Sequence, residues 1–225
     1  MRRIFLLATM TILVTGAARA AARPEITVEA GGGAARSNNL DFNSVFGTIR
    51  LDVKNASTYH VASYARWCPW AAVGLEYLHA GSFDPKSLTF PDLDGDGRSE
   101  TFDVGSSHAE FNVETYDLVA RLGKTLTAGA VGIRPYLSVG AGMYVLEQVG
   151  GEAALSGQSS TGIPASGTVN LKSNAARFLG ASLGAGVEFP FRRFVVGADL
   201  RFHRVFASGE DRRIFIPSVK AGVTF

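Results

Sequence analysis

Alternation with a period of two constrains this chain more than any other feature. At its end Phe215, Pro217, Val219, Ala221, Val223 and Phe225 fall on one face of an extended strand. Ile216, Ser218, Lys220, Gly222 and Thr224 fall on the other. Seven earlier segments fit the same template: Glu25–Ala35, Ser57–Trp67, Trp70–Ala80, Val113–Gly123, Gly132–Leu146, Ala176–Phe189 and Arg193–Val205. In Gly132–Leu146 one face reads Ile133, Pro135, Leu137, Val139, Ala141, Met143, Val145. The other reads Arg134, Tyr136, Ser138, Gly140, Gly142, Tyr144. Strands that are apolar on one side and polar or small on the other suit a barrel with lipid outside and a polar interior. The expected fold is all-β: an eight-stranded antiparallel up-and-down transmembrane β-barrel. An even count brings both ends of such a chain to the same side of the membrane.

The connections alternate too. Tight turns are expected around Cys68-Pro69 and Pro190, and a short one over Lys124–Ala130. Long polar segments lie between them, over Arg36–Ala56, Gly81–Asn112 and Glu147–Asn174, with a short fourth at Ala207–Arg212. Short turns facing the periplasm and long loops facing outward are the layout of outer-membrane barrels. The segment from Phe46 to Val53 also alternates, and reads as a hairpin in the first loop or an extension of the second strand. If it crossed the membrane, the count of eight would fail.

With 46% hydrophobic and 19% charged residues the chain is too polar for a bundle of membrane helices and too apolar for disorder. The single cysteine, Cys68, excludes an internal disulfide and a cysteine-based zinc cluster. Arg2 and Arg3 precede an apolar run from Ile4 to Val14, followed by small residues that include Ala18 and Ala20. These features predict a signal peptide over residues 1–20, cleaved after Ala20, and a barrel domain over 21–225. Cleavage removes three arginines and no acid, taking the formal charge from +2 to −1. A nucleic-acid partner loses its electrostatic footing.

The signal peptide, the Arg-Pro-Tyr-Leu-Ser-Val-Gly-Ala-Gly segment around Tyr136, and the terminal Val219-x-Ala221-x-Val223-x-Phe225 together resemble the small outer-membrane β-barrel proteins of Gram-negative bacteria. These are the OmpA-, OmpX- and OmpW-like eight-stranded barrels. The resemblance implies location in the cell outer membrane and contact with outer-membrane lipid and lipopolysaccharide. It also implies that the barrel-assembly machinery reads Phe225, Val223, Ala221 and Val219. A monomer is expected.

If Phe225 faces lipid, the opposite parity of each strand faces inward. The inward set holds Glu29, Glu76, Asp117, Glu188 and Asp199 against Arg66, Arg121, Arg134, Arg201 and Lys220, with His60 and His203 beside them. An eight-stranded barrel is just wide enough inside for side chains to fill. Charges buried there must pair, because an unpaired buried ion costs several kcal/mol. A plugged lumen is expected, with function carried by the outer loops as a structural or surface-interaction protein. The alternatives are a narrow passive conduit for ions or small hydrophobic solutes, and a lipid-modifying enzyme.

In the second outer loop, Asp92-Leu-Asp-Gly-Asp-Gly-Arg-Ser-Glu-Thr-Phe-Asp103 resembles a calcium-binding loop. Asp92, Asp94 and Asp96 fall at positions 1, 3 and 5, Gly97 supplies the turn, Arg98 offers its carbonyl, Glu100 sits at position 9, and Asp103 ends the loop. Calcium is therefore the one cofactor the sequence suggests. Asp103 is shorter than the usual bidentate glutamate, and Ser99 replaces an apolar residue. An acidic, glycine-rich surface turn is the alternative reading. No nucleophile motif surrounds His79, Ser82 and Asp84 or Ser106, Ser107 and His108, so no catalytic residues are assigned. Trp67, Trp70, Tyr77, Phe189, Phe191, Phe194 and Phe202 are expected to include interfacial belt residues.

Overall fold

The structure is a computed structural model that describes residues 24–38, 40–44, 47–92, 96–128, 131–158, 162–207 and 210–225. The expected signal peptide, residues 1–20, lies outside them. In chain order the first strands are β1 (Glu25–Ser37), β2 (Leu40–Ser44), β3 (Gly47–Val53), β4 (Ala56–Cys68) and β5 (Ala71–Phe83). Then come β6 (Pro85–Phe90), β7 (Glu100–Ser107), β8 (Glu110–Gly123), β9 (Leu126–Ala128) and β10 (Val131–Val149). The last are β11 (Gly151–Gln158), β12 (Pro164–Leu171), β13 (Asn174–Phe191), β14 (Phe194–Ala207) and β15 (Glu210–Thr224).

Eight of these strands close a barrel in the antiparallel order β1-β4-β5-β8-β10-β13-β14-β15, and β15 pairs back onto β1. The seam ends in a reciprocal bond: Phe225 N–H donates to Ile26 O (2.8 Å) and Ile26 N–H donates to Phe225 O (3.2 Å). Each of the eight expected segments falls on one barrel strand. Outward positions carry exposed apolar side chains such as Leu118, Leu137, Leu179, Leu183 and Val219. The end bearing the short turns adds exposed Trp67, Trp70, Phe191, Phe194 and Phe225. That is a lipid-facing girdle with an aromatic border.

Two turns differ from the sequence expectation or refine it. The β13–β14 turn is not centred on Pro190, which stays in β13 opposite Val195. The turn is Arg192-Arg193, with Arg192 at φ 56°. The Lys124–Ala130 connection contains β9, which pairs with the first residues of β10.

The long outer segments are not irregular loops. They contain three hairpins, β2–β3, β6–β7 and β11–β12, joined edge to edge into a six-stranded sheet ordered β12-β11-β7-β6-β3-β2. Each of these strands directly prolongs a neighbouring barrel strand, so the wall continues past the rim over six of its eight strands. Only the short β14–β15 connection lacks such an extension among the described residues. The alternating segment before Val53 is thus the return strand of a hairpin in the first outer loop, and the barrel count of eight stands. Phe46 itself lies outside the described residues.

Candidate functional site

Inward-facing glycines make room for inward-facing tyrosines. Gly74 lies opposite Tyr64 and Gly186 opposite Tyr136, and a β-carbon on either glycine would collide with the facing tyrosine. A β-carbon at Gly180 would meet the Tyr144 ring in the same way. Small residues on one strand thereby let large polar rings fold across the bore, and these rings organise the charges.

Near the periplasmic end, Arg121 from β8 reaches across to Glu29 of β1 and to Glu188 of β13 (2.9 Å). Lys220 of β15 donates to the same two carboxylates at 3.3 and 2.9 Å, and to the Tyr136 hydroxyl at 2.8 Å. Tyr64 lies beneath the Arg121 guanidinium, 3.6 Å from ring centre to Cζ. Arg134 approaches Glu188 (3.5 Å) and donates to Thr125 (2.8 Å). Arg66 and Arg134 both lie 3.9 Å from Glu25 at the entrance.

One level further in, Arg201 pairs with Glu76 and with Asp199 (3.3 Å). Tyr64 donates to Glu76 and Tyr136 to Asp199, both at 2.8 Å, and Ser218 donates to Asp199. Asp117 differs from the other acids. Its hydrogen bonds come from Tyr144 (3.2 Å) and Ser182 (3.3 Å), and His203 Nδ1 lies 3.8 Å away. Tyr144 also shares a 2.9 Å hydrogen bond with His203 Nδ1. Glu29, Glu76, Asp117, Arg121, Glu188, Asp199, Arg201 and Lys220 are all at most 5% exposed. Among Tyr64, Arg66, Arg121 and Glu188 a cavity of only about 10 Å³ remains. That is about the room one water needs.

Above Tyr144 the lumen changes character. Leu78, Ala80, Phe83, Phe111, Val113, Leu146, Val205, Ile214 and Ile216 form one buried apolar cluster with Leu51 and Leu88 of the outer sheet. Ile49, Val53, Phe90, Leu155, Val169 and Leu171 pack against it from the same sheet. The mouth keeps a cavity of about 200 Å³ whose wall mixes Phe83, Phe111, Leu146, Phe178 and Ile214 with polar Ser37, Asn112, Glu147, Gln148, Asn174 and Arg212. The bore therefore has a charged periplasmic half and a largely apolar outer half against which side chains of the six-stranded sheet pack.

Eight of the ten charges that sequence parity assigned to the lumen are buried, and Arg66 and Arg134 are half-buried at the entrance. Sequence parity missed the tyrosines as partners, although Tyr64, Tyr136 and Tyr144 share that parity, and it missed Glu25. Of the calcium-loop residues, Asp92, Asp96 and Glu100 bring carboxylate oxygens within 4.8 Å of one another. Arg98 N–H donates to Asp96 Oδ1 (2.9 Å). Asp94 lies outside the described residues. Asp103 is exposed on β7, at a parity opposite to that of buried Glu100, and is not in that group. Of the polar residues near the rim, Ser82 donates to Glu110 (3.4 Å), and Ser107 bonds with Ala109 next to it. His79 stacks on Tyr59 and lies 3.9 Å from Glu114.

No protein-family model matches the chain, and no curated protein matches it in sequence. Solved structures do match. The outer membrane protease OmpT from Escherichia coli superposes with a TM-score of 0.53 at 10% identity, covering 89% of this chain and 97% of its own. Ail, the attachment invasion locus protein of Yersinia pestis, gives 0.49 at 14% identity over 91% of this chain and 100% of its own. The outer membrane protein OprG from Pseudomonas aeruginosa gives 0.44 at 11% identity over 91% and 97%. The fold is that of the outer-membrane β-barrels. With its lipid-facing girdle, it makes the chain an integral outer-membrane barrel.

Proposed function

We propose that the protein is a closed, non-catalytic barrel that acts structurally or in surface contacts through the sheet it raises above the rim. The filled bore carries this reading. The periplasmic half is occupied by paired charges and tyrosines, with a cavity the size of one water among Tyr64, Arg66, Arg121 and Glu188, and the outer half buries a cluster of aliphatic and aromatic side chains beneath its mouth. A water-filled pore needs a continuous polar path, and a route for apolar solutes needs a continuous apolar one. Each is interrupted by the other half. The cap instead presents a broad sheet with β2 and β12 at its edges.

Planar-bilayer recording of the purified protein tests the reading against a conduit. No steady conductance is expected, and a stable, large open state would overturn the closed barrel. Mass spectrometry of lipid A after overexpression tests the lipid-modifying alternative. An unchanged acylation pattern is expected, and a protein-dependent change in acyl chains would overturn the non-catalytic reading.

A further inference from the structure

Two arginines flank one small residue at the periplasmic end of the bore. In the register of β4, β5 and β8, Ala72 lies opposite Arg66 on one side and opposite Arg121 on the other. The ladder between β4 and β5 shifts just after Arg66, where Cys68 comes to lie opposite Ala71. Such an irregularity bends the strand and re-aims a side chain beside it. Strands two apart are separated by about 9–10 Å, and the methyl group of Ala72 leaves a gap between the two arginine side chains. That gap is the cavity of about 10 Å³, walled by Arg66, Ala72 and Arg121 with Thr27, Tyr64 and Glu188.

The gap is rich in donors and short of acceptors. Among the described residues, Arg66 Nε and Nη1 and Arg121 Nε are buried and donate to no acceptor. The nearby carboxylates are engaged elsewhere. Glu188 Oε1 accepts from Arg121 Nη1 and from Lys220, both at 2.9 Å, and Oε2 faces Arg134 at 3.5 Å. Glu29 accepts from Nη1 and Nη2 of Arg121 and from Lys220. Glu25 stands at the entrance with its side chain 42% exposed. It is shared between Arg66 and Arg134 at 3.9 Å, beyond hydrogen-bond length. Tyr64 donates its hydroxyl to Glu76 and turns only its ring to Arg121.

A buried donor on a charged group costs stability when it lacks an acceptor. A water in the gap accepts from two of these N–H groups, but brings two protons that need acceptors of their own. A monatomic anion brings no proton, accepts from all three nitrogens, and forms charge-assisted hydrogen bonds to both guanidiniums. Space for one water-sized body also leaves no room for a phosphate or for an organic acid. We propose that the gap between Arg66 and Arg121 binds a small inorganic anion of the halide class, which enters from the periplasmic end past Glu25. Binding at this entrance does not depend on whether the bore above it is closed.

The test is urea unfolding of the purified full chain in lipid vesicles, with sodium chloride replacing sodium gluconate at constant ionic strength. A ligand held only by the folded state raises stability with the logarithm of its concentration above the dissociation constant. The unfolding midpoint should therefore rise with chloride. Arg66→Gln should weaken the apparent chloride affinity about tenfold, the worth of one hydrogen bond to a charged group. Ala72→Val changes no charge and fills the gap, and should abolish the chloride response. Arg36→Gln, the same charge change at the exposed outer end of β1, should respond as the unaltered protein does. If Ala72→Val does not reach the compact, heat-modifiable form, Arg66→Gln decides. Equal midpoints in chloride and gluconate, the result for a gap that holds only water, would overturn the proposal. So would an undiminished response in a folded Ala72→Val or Arg66→Gln variant, or an equal loss in Arg36→Gln.

Discussion

The two halves of the lumen are built on the same eight strands and the same inward parity, yet they are held together by opposite chemistry. The periplasmic half is a network of carboxylates, guanidiniums, one ammonium and tyrosine hydroxyls, in which each charge has partners on other strands. The outer half is a conventional apolar core, completed by side chains from a sheet that belongs to the loops. The difference follows from what covers each end. Short turns cannot roof the periplasmic end, so its charges fill the bore and bond one another. The long hairpins prolong the wall at the outer end, so aliphatic side chains there are buried against those of the outer sheet.

This contrast predicts a graded response to substitution. The largest effect is expected in the charged half. Arg201→Ala leaves Glu76 and Asp199 buried without that cation, and should destabilise the barrel by about 3–5 kcal/mol. Urea unfolding in lipid vesicles measures it, and a change below about 1 kcal/mol would mean the network is solvated instead of sealed. A smaller effect is expected in the apolar half. Leu51→Ala removes a cap side chain that is 1% exposed, and should cost about 2 kcal/mol, the low end for such a truncation, because the outer sheet is free to settle. Hydrogen exchange should show the loss in the hairpins before the barrel strands. Uniform loss would dissolve the distinction between the halves. The smallest effect is expected on the exposed face of the cap. Thr89 and Thr101 share a 2.9 Å hydrogen bond in solvent, and Thr89→Val should move stability by less than about 0.5 kcal/mol.

The barrel was legible in the sequence because a pleated strand with lipid on one side writes its orientation into every second residue. The ten lumen charges were legible for the same reason: Glu188 and Lys220, for example, sit at inward parity on strands whose outward faces are plainly apolar. Their partners were not, because Tyr64 and Tyr136 gain their roles from glycines on neighbouring strands, a relation that register alone creates. The cap was the least legible part. Strands such as β7 and β12 carry Gly, Ser and Thr with few large apolar residues, so their composition reads as loop. Ladder bonds to adjacent hairpins make them strands.

The closed bore is the central claim, and accessibility of one lumen position tests it directly. In a Cys68→Ser background, Ser138→Cys places a thiol at the level of Arg121, to which Ser138 lies opposite in the register of β8 and β10. Ser37→Cys places one at the outer mouth, where Ser37 lines the mouth cavity. With folded protein in vesicles and a small charged thiol reagent in the water, the mouth cysteine should be labelled and the Ser138→Cys thiol should stay unlabelled until the barrel is unfolded. Rapid labelling of Ser138→Cys in the folded barrel would mean that water runs through the charged half, and would contradict the plug.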